Sequence, residues 1–280
     1  MLVFCVSIFA YNTPVQALQH YLAPLTFPSV PTVSQGCHAR AQVYVSSSEQ
    51  YVQALLHYQT WLFDSQLQFL SQCLDFPKPL PRACANAIRE HAHRLTLNPQ
   101  SVLHQPMCES LQASGTQTIV YHSVPHALVQ GPLMLLPRSA TYQTLVHELA
   151  HFAYFVDEYP LPKHLQKSQC STQWYAPNMW RLSKEQWQTG RTTQLSPVAH
   201  LAQLAQYSDD PYTDVYTSWL AQFPDLADFV DQDCQHPDYV WLGLMADRFT
   251  FLRYNDINDI PGLYRYLWQT QLQQGRFAHY

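Results

Sequence analysis

The segment Thr144-Leu145-Val146-His147-Glu148-Leu149-Ala150-His151-Phe152 places a glutamate directly after the first of two histidines that stand four residues apart. On a helix, positions four apart share a face, so the imidazoles of His147 and His151 can reach a single ion. Glu148, one residue on, falls beside that ion, where its carboxylate can take a proton from water. Two neutral nitrogens and one carboxylate leave a tetrahedral Zn²⁺ with one open position. A water in that position is acidified to a pKa of about 7. The chemistry implied is hydrolysis. With 14 histidines and six glutamates in 280 residues, chance supplies only about 0.015 such pentads per chain. Leu145, Val146, Leu149, Ala150, Phe152 and Ala153 surround the motif with apolar side chains. Three ionisable groups in so apolar a setting are costly to bury without a partner.

On this HExxH pentad the chain resembles the zincin metallopeptidases. The resemblance implies an α+β domain in which the motif-bearing helix packs beneath a small mixed sheet whose edge strand holds the substrate backbone. It implies that His147 and His151 are zinc ligands and Glu148 is general base and proton shuttle, with a peptide or protein as substrate. The motif itself spans about a dozen residues and assigns no subgroup. The third ligand stays open. In one zincin group it lies ten residues after the first histidine, after a turning glycine, and here that position is Asp157. The glycine's place is taken by Tyr154, and a bulky residue resists positive φ, so a tight turn is not expected there. Glu158 is the alternative third ligand, because Asp157-Glu158-Tyr159 is similar to a run that follows HExxH in some secreted bacterial peptidases. A later Glu is used in another group, which leaves Glu185; Asp247 or a later histidine completes the candidates, while His200 and His236 read as structural or surface histidines. Acidic groups at a helix C-terminus oppose its dipole, and a cation beside Asp157 and Glu158 would compensate. An oxyanion-stabilising Tyr or His is also expected, but 18 tyrosines leave it unassigned.

Elements must hold these residues in place. Ser139 or Thr141 can cap a helix running to about Phe155, with Pro160 and Pro162 forbidding its continuation. Two β-like runs precede it, Thr118–Tyr121 and Pro132–Leu136. Upstream, Val52, Leu55, Leu56, Leu62, Phe63, Leu67 and Leu70 recur at helical spacing over Ser48–Leu74. A Pro-rich stop follows, then a second helix from Pro81 to about Leu97. These two helices read as an antiparallel hairpin without chemistry; His91 and His93, two apart, share no helical face. Downstream, 196–206, 213–221, 237–253 and 261–274 read as helices, the last two starting at Pro237 and Pro261. The expected architecture is therefore α+β, with a helical N-terminal region and a mostly helical C-terminal half. The division is 1–17, 18–112 as Pro-rich lead-in and hairpin, and 113–280 as the zincin-like domain.

Composition narrows the rest. The chain is 47% hydrophobic and 14% aromatic, enough for a core. A net charge of −5 gives no footprint for nucleic acid. Seven glycines, without GxGxxG or GxxxxGK[ST], argue against phosphate-cradling folds. No apolar run is long enough to span a membrane. Leu2–Ala10 followed by Val15-Gln16-Ala17 reads as a secretory signal cleaved after Ala17, although no basic residue precedes Arg40. Six cysteines then remain, an even set without CxxC, which suggests disulfides and a periplasmic or secreted protein. The pairing expected from spacing is Cys73–Cys84, Cys37–Cys108 and Cys170–Cys234. The reading is an exported zinc metallopeptidase. Its rivals are a catalytically silent scaffold of the same fold and a zinc hydrolase of a cell-wall amide.

Overall fold

The computed structural model describes residues 36–68, 70–90, 106–111, 116–159, 175–185, 188, 211–222, 228–231, 238–245, 250–254, 256 and 260–278. Strand β1 (Ala39–Val45) leads into α1 (Ser48–Phe63), then β2 (Gln72–Leu74), β3 (Lys78–Pro79) and α2 (Arg82–Glu90). A 3₁₀ turn at Pro106–Leu111 precedes β4 (Gln117–Tyr121), β5 (Leu128–Gln130) and β6 (Leu133–Leu136), and α3 (Tyr142–Phe152) carries the HExxH motif. After it come β7 (Met179–Ser183), α4 (Thr213–Gln222), β8 (Asp228–Asp231), β9 (Tyr239–Met245) and α5 (Gly262–Gln273). The architecture is mixed α and β.

The first sheet runs in the order β2-β1-β4-β6-β5, with β3 also on β1. All its pairings are parallel except β5–β6, an antiparallel hairpin closed by Gly131, whose φ of 55° suits a residue without Cβ. Side chains alternate between two cores, as a period of two requires. Val43, Val45, Ile119, Tyr121, Met134 and Leu136 face the larger core with α1, α3 and α5. Tyr44, Val120, Leu133 and Leu135 face the smaller one with α2 and the 3₁₀ turn. Burial on both faces explains why β4 and β6 read as short, almost continuous apolar runs. Strand β5 forms one edge of the sheet and lies against α3.

Several expectations change. The helix expected over Ser48–Leu74 stops at Phe63, where the Asp64 N–H turns back to the Trp61 carbonyl at 3.3 Å. Leu67 and Leu70 are buried from the turns that follow, so their helical spacing reflected burial alone. The hairpin is not formed, since β2 and β3 separate α1 from α2. Strands β1 and β2, from the stretch read as lead-in and hairpin, join the same sheet as β4 to β6. The helix expected over 237–253 is a strand over Tyr239–Met245, the centre of a second, antiparallel sheet β7-β9-β8. Its Tyr-Val-Trp content and Gly243 favour extended pairing over a helix. Among the described residues, the C-terminal half is accordingly less helical than its apolar runs suggested. The expected 196–206 helix and the stretch from 91 to 97 of the second expected helix lie outside the described residues.

The disulfides also differ from the expected pairing. They are Cys37–Cys73, with Cα atoms 5.7 Å apart, and Cys84–Cys108, with Cα atoms 5.0 Å apart. Neighbouring strands place Cys73 of β2 next to the start of β1, in register with Arg40. Cys84 instead faces inward from α2 against the 3₁₀ turn that carries Cys108. Cys170 and Cys234 lie outside the described residues.

Candidate metal centre

Helix α3 starts on a capping box. Thr141 Oγ1 accepts from the Thr144 N–H at 3.1 Å, and Thr144 Oγ1 accepts from the Thr141 N–H at 3.3 Å. The helix ends in a Schellman closure: the Tyr154 N–H donates to the His151 carbonyl (3.0 Å) and the Phe155 N–H to the Ala150 carbonyl (3.2 Å). Tyr154 takes the left-handed conformation usually given to glycine, with φ 64°. The expectation that Tyr154 would prevent a tight turn is thus corrected. The two backbone bonds help to hold the conformation, and Tyr154 is 42% exposed. The turn sends the chain back along the helix, and Asp157 arrives beside the histidines.

The resulting cluster is compact. His147 Nε2 and His151 Nε2 are 3.2 Å apart, and Asp157 Oδ1 lies 2.9 Å from the first and 3.4 Å from the second. Donors about 2.0–2.2 Å from one tetrahedral ion stand roughly 3.3–3.6 Å from one another, so these spacings are close to those of a ligand set. Both histidines are oriented from behind. His147 Nδ1 donates to the Phe251 carbonyl at 2.8 Å, and His151 Nδ1 donates to the Phe155 carbonyl at 2.8 Å. A carbonyl only accepts, so each Nδ1 carries a proton and Nε2 is the atom each ring turns to the centre, where it can ligate once it holds no proton. Three ligand atoms therefore converge on one point, which calls for a cation. A buried group of His147, His151 and Asp157 that could bind a metal ion is present.

The electrostatics show the same demand for positive charge, which a proton on His151 meets where no metal is bound. Burial pushes the Asp157 carboxyl up, but hydrogen bonds and charge from both histidines hold it well below the usual carboxylate range. Burial lowers His151, yet the Asp157 hydrogen bond and charge, joined by Glu148, outweigh this and raise it to about 9. Glu148 is 7% exposed, and burial raises its pKa against the opposing pull of His151 and His147.

The other candidates go elsewhere. Glu158 is buried and points away from the cluster. It accepts hydrogen bonds from Asn178 Nδ2 (3.0 Å), Thr250 Oγ1 and the Tyr264 hydroxyl. Burial raises its carboxyl while those three donors lower it. Glu185 is exposed on the segment after β7. Asp247, His91, His93, His200 and His236 lie outside the described residues.

Two participants were not singled out by sequence. Tyr159 carries its phenol to Asp157, and burial together with the Asp157 and Glu148 charges raises its pKa. Its position two residues after Asp157 was the available signal, lost among many tyrosines. Phe251 contributes only a backbone carbonyl from 104 residues away, for which no sequence signal exists. Tyr159 also lines a cleft of about 570 Å³ with Gln143, Thr144, Arg253 and Tyr254. Gln143 and Thr144 stand one helical turn before His147. No known family model, characterised protein or solved structure matches the chain.

Proposed function

We propose that this chain is an exported zinc metallopeptidase, with His147, His151 and Asp157 as ligands and Glu148 as the catalytic acid–base. The observation that carries the reading is the convergence of three lone-pair donors whose outward nitrogens are already satisfied by carbonyls. Nitrogen and oxygen donors in a tetrahedral set suit Zn²⁺. A Zn²⁺ held there supplies Lewis acidity, polarising a carbonyl and acidifying water. Glu148, buried beside the cluster, takes the proton from the attacking water and delivers it to the leaving amine. Burial raises its pKa and so makes its carboxylate a better proton acceptor, which suits the first step.

Tyr159, whose phenol hydrogen-bonds Asp157 and lines the adjoining cleft, is the candidate donor to the developing oxyanion. Strand β5, half-buried along its length and on the sheet's edge beside α3, offers backbone groups to an extended peptide, which agrees with the zincin resemblance. Two disulfides support an oxidising compartment. Among the described residues no helix is long and apolar enough to cross a membrane.

The test uses purified full chain. Metal analysis should find one zinc per molecule, and casein fragments should appear on incubation. Glu148→Gln should keep the zinc while losing at least about 1,000-fold in turnover. His147→Ala should lose the metal. Hydrolysis undiminished in Glu148→Gln removes the mechanism. Stoichiometric zinc without cleavage of any peptide mixture points instead to a scaffold, and release of peptide from peptidoglycan but not from casein to a cell-wall amidase.

A further inference from the structure

The residue next to the third ligand is a buried carboxylate that the hydrolytic mechanism does not use. Burying a carboxylate costs several kcal/mol unless its oxygens are well satisfied, and an apolar side chain would fill the same space more cheaply. Glu158 nevertheless sits 3% exposed, with three side-chain donors around it. Those donors come from three places. Asn178 precedes β7, Tyr264 is on α5, and Thr250 begins the turn that carries Phe251.

Glu158 holds that turn at two points. The carboxylate accepts from Thr250 Oγ1, and the Glu158 N–H donates to the Leu252 carbonyl at 3.1 Å. Between them lies Phe251, whose carbonyl accepts the His147 Nδ1 proton at 2.8 Å. Glu158 therefore straddles the one peptide group that fixes the His147 ring. The aromatic side of the same residue is packed from α5: the Phe251 ring is stacked on Trp268 at 6.3 Å, and Tyr264 meets it edge-on at 6.4 Å. Tyr264 in turn hydrogen-bonds Glu158, which closes the circuit. On the other side of Asp157, Asn178 grips the Val156 peptide through both N–H (2.9 Å) and carbonyl (2.8 Å) while also donating to Glu158.

We propose that Glu158 is a positioning residue that couples two ligands of the centre, setting the Asp157 backbone directly and the His147 ring through Thr250 and the Phe251 carbonyl. The inference rests on the metal-centre reading for its main measurement, but a second measurement is independent of any metal. Outer-shell partners of a ligating histidine are typically worth 10–100-fold in metal affinity.

The experiment compares zinc dissociation constants of full-chain variants by chelator competition. Thr250→Val keeps the shape and deletes one link, and is expected to weaken zinc 10–100-fold. Thr250→Ser restores the hydroxyl and should return to within about threefold of wild type. Glu158→Asp retracts the carboxylate by one methylene and should weaken zinc as Thr250→Val does. The double variant should be no weaker than either alone, because both break one chain of contacts. Thr118→Val controls for general destabilisation; it deletes a buried bond to the Leu111 carbonyl far from the centre and should leave zinc affinity unchanged.

Wild-type affinity in Thr250→Val, additive losses in the double variant, or an equal loss in Thr118→Val each overturn the proposal. If the wild type itself binds no zinc, the metal reading fails and the coupling is decided by proton exchange at His147 Nδ1. That proton, held by a fixed carbonyl, should exchange at least about tenfold faster in Thr250→Val. Unchanged exchange overturns the coupling.

Discussion

Tyr154 shows how one residue can bear local strain on behalf of a site. At φ 64° it occupies a region that costs a non-glycine residue about 1 kcal/mol or more. Without that turn the chain leaves the helix axis and Asp157 does not come back to His147. Tyr154→Gly should keep the turn, remove the strain and raise unfolding stability by up to about 1 kcal/mol, measured by urea titration, with zinc stoichiometry unchanged. A loss of zinc in that variant would mean that the tyrosine ring, half-exposed, does more than occupy the corner. A different residue reports on pH. His57 on α1 is buried against the Tyr121 hydroxyl (Nδ1 to oxygen 2.9 Å), and burial lowers its pKa from 6.5 to about 4. The unfolded chain binds this proton first, so stability is full above pH 6.5 and falls as pH drops towards 4. The loss is about 2–3 kcal/mol. Unfolding free energies at pH 7.5 and 4.5 should therefore converge in His57→Gln relative to wild type, and an unchanged difference would exclude this group.

At the scale of elements, α3 is specified at both ends by local chemistry. Its capping box uses Thr144 where Glu or Gln is usual, and the Schellman closure uses Tyr where Gly is usual. Thr141→Ala removes one half of the box and should cost about 1 kcal/mol, read as a lower urea midpoint, without loss of zinc. Both ends were legible in part. The cap at Thr141, the motif face and the two strands upstream follow from residue types within a few positions of one another. Strand β9 was not legible, because a seven-residue apolar run after a proline fits a helix start as well as a strand. Only pairing with β7 on one side and β8 on the other makes it extended. The end of α1 was missed for a related reason: Leu67 and Leu70 keep helical spacing while serving the core from turns.

At the scale of the molecule, two disulfides among the described residues brace the segment that precedes the motif. Cys37–Cys73 closes a loop of 36 residues around β1 and α1, and Cys84–Cys108 closes one of 24 residues around α2. Loop-closure entropy gives each about 3–4 kcal/mol. Replacing Cys84 and Cys108 by Ser should lower the unfolding free energy by that order, in scanning calorimetry or urea, and reduction of the native protein should do the same. Neither pair touches the metal cluster, so zinc stoichiometry in the folded fraction should be retained. The C-terminal end contributes differently: α5 packs Tyr264 and Trp268 under the turn at Phe251, and the Ala278 N–H donates to the Phe152 carbonyl at 2.7 Å. The C-terminal segment thereby supports the helix that carries the HExxH motif.

The chemistry of the motif was written in the sequence because its geometry is local. Four residues of helix set two imidazoles on one face, so residue type and spacing suffice to name His147, Glu148 and His151 and to bring Asp157 and Glu158 within range. Local spacing could not decide between Asp157 and Glu158, since adjacent side chains leave the backbone in opposing directions and only their surroundings say which faces the centre. Tertiary structure made that choice by giving Glu158 three donors from Asn178, Thr250 and Tyr264 and leaving Asp157 beside the histidines. It also decided the disulfide pairing and the Phe251 carbonyl behind His147. Those contacts join residues 24 to 104 positions apart, and what brings them together is the packing of sheet, helix and turn as one body.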